Sequence, residues 1–279
     1  MTDDGSAGRS PTEAFAARAR SRQPVTGTFL KLAGLEATDL VARVGFDFAV
    51  VDVEHSQLDP AEVARLVRHG TALGLPVVVR LPAVDAGLVN RLLEAGAAGI
   101  QVSSLRTVAQ ADALRSAMRY APDGTRSVSA AQPAAGYGAR PLGDYLDGVR
   151  QNPPLVVGQI ETATTDDPLE DIVARLDVAF IGTTDLSVDL GFPGQMGHPA
   201  VQERIGEVAA AAARHGVVLG GWAPGAPAAE ALRRSGATYL VVGSDLQALQ
   251  QGLGAMAAPS AGAETVAGVP SVADGRGPA

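Results

Sequence analysis

The chain has 279 residues, 46% of them hydrophobic and only 4% aromatic, with a formal charge of −8 and no cysteine. That length suffices for one large core packed mainly by Ala, Val, Leu and Gly. Disulfides and thiolate sites are excluded, and an acidic surface is a poor partner for nucleic acid or anionic lipid.

Residues 1–11 are small and polar, and disorder is expected there. No apolar run follows a basic start, so no signal peptide is expected. No apolar stretch nears the roughly 20 residues of a membrane helix, and a cytoplasmic location is expected. An Ala-rich helix is predicted over 11–22, a first strand over 26–32, and a helix over 35–44 that stops at Gly45. A strand over 46–55 follows. Asp59 as N-cap, Pro60 at the first helical position and Glu62 in the first turn open a helix. It runs to His69 and stops at Gly70 or Gly74. Strands at 76–81 and 99–104 then alternate with helices at 85–95 and 107–118.

The connection 120–144 is rich in Gly, Ala, Ser and Pro, and a loop of that length is usually functional or mobile. Beyond it strands are predicted at 155–161, 178–183, 217–222 and 238–243, with helices at 169–176, 198–215, 227–235 and 246–256. Residues 257–279 are expected to be a disordered tail. Eight strands alternating with helices predict an α/β fold, a (β/α)₈ TIM barrel over 12–256 with an N-terminal and a C-terminal helix. A doubly wound sheet would want a Gly-rich phosphate turn after its first strand, and Gly34-Leu35-Glu36 is not one.

Four predicted strands end in charge. Asp52, Glu54 and His55 close one, and Arg80 follows Val77-Val78-Val79. Glu161 closes 155–161, and Asp185 follows the strand that ends at Thr183. Ionisable groups are costly at the end of a buried strand, and a parallel barrel gathers such ends on one rim. Glu161 and Asp185 offer a hard oxygen site for a divalent ion; alternatively each caps a helix or pairs with an arginine. Gln159 points the same way as Glu161 by strand alternation. Arg80 either holds a developing oxyanion or pairs with Asp52 or Glu54. His55 either moves protons or is satisfied by Asp52. Residues 183–187 are an ordinary loop or a turn whose N–H groups take a carboxylate. Lys31, the single lysine, falls inside a predicted strand rather than at its end, so a Schiff-base mechanism is poorly supported.

Asp52-Val53-Glu54-His55, Arg80, Gln159-Ile160-Glu161 and Ile181-Gly182-Thr183-Thr184-Asp185-Leu186-Ser187 resemble the HpcH/HpaI aldolases, metal-dependent class II pyruvate aldolases of the 4-hydroxy-2-oxoheptanedioate aldolase kind. The likeness runs from about Gly27 to Leu246. It implies a barrel assembled as a hexamer, a trimer of dimers that exchange C-terminal helices. It implies that Glu161 and Asp185 bind Mg²⁺ or Mn²⁺, or else Co²⁺ or Zn²⁺. Arg80 corresponds to the residue that stabilises the pyruvate enolate. His55 corresponds to the acid–base histidine, with Asp52 beside it and Glu94 where the family has a partnering aspartate. Gln159 and the Thr184 and Asp185 amides correspond to pyruvate-binding positions, and Phe29 and Trp222 to pocket walls. Ser103-Ser104 replaces the family's Pro-Met, which makes the wall at Ser104 more polar. The implied activity is cleavage or formation of 4-hydroxy-2-oxo acids from pyruvate and an aldehyde. The alternatives are a malyl- or citramalyl-CoA-type lyase, and a catalytically silent barrel acting as a binding protein.

Overall fold

A computed structural model describes residues 9–257; of the ends expected to be disordered, 1–11 and 257–279, residues 1–8 and 258–279 lie outside the described residues, while Ser10 and Pro11 already open a helix. Eight parallel strands close into a barrel in simple sequence order, β8 pairing with β1. The strands are β1 (Val25–Leu30), β2 (Phe48–Asp52), β3 (Val77–Leu81), β4 (Gly99–Val102), β5 (Leu155–Ile160), β6 (Val178–Ile181), β7 (Val218–Ala223) and β8 (Tyr239–Ser244). The helices before and between the first five strands are α1 (Pro11–Arg20), α2 (Leu35–Arg43), α3 (Pro60–Ala72), α4 (Ala86–Ala95), α5 (Val108–Met118) and α6 (Leu142–Gln151). Then come α7 (Leu169–Val173), α8 (Thr183–Asp189), α9 (Pro199–His215), α10 (Ala226–Arg234) and α11 (Asp245–Met256).

Strand alternation sorts the core into two layers. Phe48, Val50, Val78, Val157, Phe180, Tyr239 and Val241 pack inside the barrel. Ala49, Val51, Val77, Val79, Ile100 and Ile181 face outward against Leu66, Leu92, Leu114 and Val208 of the helices. The same parity turns Lys31, Asp52, Arg80, Gln159 and Glu161 toward the barrel axis, at or just past the C-terminal ends of their strands. Parallel register sets Asp52 beside Arg80, and Arg80 beside Gln101.

Three local differences from expectation have simple causes. Helix α3 passes through Gly70, because a Cβ there would lie 2.5 Å from Val77. That glycine permits close helix–strand approach, and Gly74, at φ +75°, provides the stop. Helix α6 was not anticipated although Leu142, Tyr145, Leu146 and Val149 recur at helical spacing, because it opens at Pro141 without a side-chain cap and begins within the Gly-, Ala-, Ser- and Pro-rich connection. A 3₁₀ stretch, Pro133–Gly138, also organises part of the connection expected to be a loop. Among the described residues, no helix is long and apolar enough to cross a membrane.

The end of the barrel where the strands begin is plugged by α1. Ser10 caps it through a capping box with Glu13. Its Phe15 ring lies 4.9 Å from Phe48 and 6.4 Å from Tyr239, centroid to centroid. Removing this ring leaves a hole that rigid strands cannot collapse to fill. Phe15→Ala should therefore lower the unfolding free energy by about 3–5 kcal/mol in urea denaturation. A loss below about 1 kcal/mol would show that α1 is not part of the cooperative core.

Candidate active site

At the opposite end of the barrel lies an open cleft of about 310 Å³. Phe29, His55, Arg80, Gln159, Asp185 and Trp222 line it, together with Lys31 and the first turn of α8. It is the rim to which the strand C-termini run, where barrel enzymes place their chemistry.

Asp52 organises one wall. It is fully buried. Arg80 donates to both of its oxygens, Nε to Oδ1 at 2.9 Å and Nη2 to Oδ2 at 2.7 Å. Lys31 Nζ lies 2.7 Å from Oδ2. The backbone N–H groups of Glu54 and His55 donate to Oδ1 at 3.1 and 3.2 Å. Arg80 Nη1 also reaches Glu54 at 3.5 Å, and the Arg80 guanidinium stacks on the Phe29 ring 4.4 Å from its centroid. Arg80 thus makes both expected carboxylate pairs while still lining the cleft. The Asp52 oxygens are enclosed by these donors, and the carboxylate holds Arg80 in place.

His55 is not satisfied by Asp52 through its ring. Asp52 takes its backbone N–H, while the imidazole is exposed with Nε2 3.8 Å from Glu54 Oε2. Glu54 in turn accepts from Ser103 Oγ at 2.5 Å. Glu94 is not brought to His55 within one chain. Helix α4 runs back along the barrel, so its last turn lies at the opposite end, beside the start of β4. There Glu94 accepts from Asn90 Nδ2 at 3.3 Å. Lys31, expected inside the first strand, follows β1 directly and enters the cleft. The apolar run continues past it through Leu32 and Ala33, which hid a strand end marked by charge as at Arg80.

Across the cleft stands an acidic wall. Glu161 is buried, and Ser104 N and Oγ donate to its Oε1 at 2.8 and 2.6 Å. Gln159 Nε2 donates to its Oε2. A Cβ on Gly182 would lie 2.9 Å from Gln159 Nε2 and clash with Glu161, so only glycine admits this approach. Burial raises the Glu161 pKa; the Ser104 and Gln159 hydrogen bonds oppose that, and the charge of Asp185 adds to it. Asp185 is exposed at the third position of α8, where backbone N–H groups lack intrahelical partners.

Among the described residues, no three His, Asp or Glu side chains gather as a ready metal cage. The groups that could hold a cation are Glu161 and Asp185. Two carboxylates close enough to repel, one of them buried, form a hard-oxygen pair that a divalent ion would neutralise. The donor set fits such an ion.

Burial alone would raise the Asp52 pKa, but Arg80 and then Lys31 outweigh it and bring it from 3.8 down to about 2. A depressed carboxylate stabilises the fold above its unfolded pKa and loses that contribution as pH falls through the folded one. The contribution amounts to about 2 kcal/mol and disappears between pH 3.8 and about 2. Asp52→Asn should cost about 3 kcal/mol at pH 7, because two cations then face a neutral amide. It should also flatten the acid limb of a stability–pH curve measured by denaturant titration. An unchanged acid limb would show that Asp52 is not the group titrating there.

With this geometry in view, the similarities to known proteins are coherent. The HpcH/HpaI aldolase/citrate lyase family profile matches residues 26–251. A 5-keto-4-deoxy-D-glucarate aldolase of Klebsiella pneumoniae is 34% identical over 237 residues, covering 83% of this chain and 90% of that protein. A hydroxypyruvate/pyruvate aldolase of Paraburkholderia phytofirmans is 32% identical, covering 84% and 92%. The crystal structure of a family protein from Burkholderia cenocepacia superposes with a TM-score of 0.80 at 32% identity, covering 88% of this chain and 97% of that one. The chain belongs to the HpcH/HpaI aldolase/citrate lyase family.

Proposed function

We propose that the chain is a divalent-metal-dependent pyruvate aldolase that cleaves or forms 4-hydroxy-2-oxo acids. The observation that carries this reading is the pairing of a cationic and an acidic wall across one small cleft. Arg80 and Asp185 both line the cleft, and the buried Glu161 lies behind Gln159, which lines it too. A cleft of about 310 Å³ suits a small oxo acid better than an acyl-CoA. The aldolase names of the relatives point the same way.

In this reading Glu161 and Asp185 hold a divalent ion, Mg²⁺ or Mn²⁺, or else Co²⁺ or Zn²⁺. When bound, that ion supplies Lewis acidity toward the 2-oxo group. The open N–H groups at Thr184 and Asp185 receive the substrate carboxylate, and Gln159 borders it. Phe29 and Trp222 form the apolar walls. In cleavage, His55 accepts the proton of the C4 hydroxyl. The C3–C4 bond breaks, an aldehyde leaves, and the bond's electron pair becomes the pyruvate enolate. Arg80 holds the enolate oxygen until C3 is protonated. Glu54, rather than Glu94, is the carboxylate that faces His55 within the chain. Ser104 acts through Glu161, which it orients. Lys31 is not a nucleophile here, since its ammonium is tied to Asp52.

A homo-oligomer, the hexamer built as a trimer of dimers, belongs to the same proposal. Helix α11 buries none of its side chains, and its Leu246, Leu249, Leu253 and Met256 are exposed. Beside it Leu40 and Val44 line an apolar groove of about 600 Å³, the kind of surface a neighbouring copy covers.

Two experiments test the chemistry. Pyruvate release from a 4-hydroxy-2-oxo acid should vanish in EDTA and return with Mg²⁺ or Mn²⁺, and Arg80→Lys should lower kcat about 10²–10³-fold. Lysine keeps a cation beside Asp52, so folding is spared; wild-type turnover in Arg80→Lys would remove Arg80 from the mechanism. Separately, calorimetry should show Mn²⁺ binding lost in Glu161→Gln, and unchanged affinity would contradict the metal assignment.

A further inference from the structure

A second polar cleft, of about 400 Å³, opens at the end of the barrel away from the mouth. Arg115 lies in the last turn of α5, Arg119 is the C-cap of that helix, and Pro153 leads into β5, so the cleft belongs to the strand N-terminal face. Three arginines line it, Arg115, Arg119 and Arg150, with Asp123 the single carboxylate among the lining residues. In a chain of net charge −8 this is a local reversal of sign.

The charges inside the cleft do not cancel. Asp123 lies 3.3 Å from Arg150, which also meets Asp147 at 3.7 Å. Among the described residues, the side chains of Arg115 and Arg119 have no hydrogen-bond or ion-pair partner. Arg115 sits in the last turn of α5 and Arg119 just past it in extended backbone, and both line the same cleft. A helix C-terminus favours one cation through its dipole but gives a second guanidinium no acceptor. Burial pushes the Arg119 pKa down; Asp177 and, more weakly, Asp123 oppose this, while Arg20 and Arg115 push the same way as burial. Yet the Arg119 guanidinium nitrogens are not sealed from solvent. A half-buried cation, crowded by other cations and open to a cleft, is matched by an anion from outside.

We propose that this cleft is a second, non-catalytic site for a small phosphorylated molecule, with the phosphate held by Arg115 and Arg119. Paired guanidinium forks match phosphate oxygens in shape as well as charge. Leu146 and Val149 supply an apolar wall for the organic body of the ligand. The site stands apart from the mouth and does not depend on the reaction assigned there.

Calorimetry on the full chain with inorganic pyrophosphate, and then ATP, in metal-free buffer at constant ionic strength tests the proposal. Saturable binding is expected. It should weaken about tenfold or more in Arg115→Gln, a substitution at an exposed position that leaves the fold intact. Arg119→Lys should bind better than Arg119→Gln. Arg80→Lys should bind like wild type, and Arg115→Gln should keep wild-type turnover at the mouth. Absence of saturable binding would overturn the site. So would binding indifferent to Arg115→Gln, or binding lost in Arg80→Lys, which would place the anion at the mouth. Tighter binding of ATP than of pyrophosphate supports the apolar wall, and equal affinity removes Leu146 and Val149 from the proposal.

Discussion

One buried carboxylate sets the terms for the mouth of this barrel. Asp52 sits where β2 ends, and its two oxygens are shared by Arg80 from β3 and Lys31 from the end of β1. Three neighbouring strands are thereby tied by charge at the rim where backbone pairing gives out. A buried ion pair adds little net stability, because desolvation offsets most of the attraction, but losing one member is expensive. The network therefore acts chiefly to fix geometry. Arg80 cannot swing into solvent without stranding Asp52, and Phe29 beneath the guanidinium closes the remaining direction. Because Asp52 also takes the amides of Glu54 and His55, the same carboxylate sets the turn that carries the imidazole into the cleft.

How much of this was legible follows from where each signal lives. A strand buried on both faces reads as a continuous apolar run, so the charge that ends it stands out; Arg80 and Glu161 were visible for that reason. Lys31 occupies an equivalent place but was masked by the apolar residues after it, and only the closed barrel turns it toward the axis. Glu94 is the opposite case, since within one chain it lies away from His55. Correspondence along a sequence fixes a position on a helix, not the end of the barrel at which that position lies, and a returning helix carries its last turn away from the rim. Helix α6 was hidden because no side-chain cap marks its start and a loop-like composition leads into it, although Leu142, Tyr145, Leu146 and Val149 keep helical spacing. Pairings such as Ser103 with Glu54, or Arg115 beside Arg119 over an open cleft, depend on side-chain directions in space that no spacing rule contains.

The two ends of the barrel divide the charge of an acidic chain in different ways. At the mouth, cations and carboxylates face one another across the cleft, an arrangement suited to a ligand that is itself polarised. At the far end, Arg115 and Arg119 line a cleft without a carboxylate partner among the described residues, an arrangement suited to a ligand that is simply negative. The barrel separates these demands because loops after strands and loops before strands lie at opposite ends, so each can carry its own charge pattern without disturbing the shared core.

The acidic wall repeats the logic of Asp52 by other means. Glu161 has no cation of its own among the described side chains that contact it; neutral donors hold it instead. Two of these come from Ser104, which adopts φ +50°, a left-handed conformation unfavourable for a residue with a side chain. That backbone cost is borne where it aims both the N–H and the hydroxyl at one carboxylate oxygen. Gly182 completes the arrangement by having no Cβ to displace the carboxylate from Gln159. An arginine in their place would cancel the carboxylate's charge, which a serine and a glutamine do not. Neutral holders fix its direction and leave its charge unspent, which is the condition a carboxylate needs if a cation is to be its real partner.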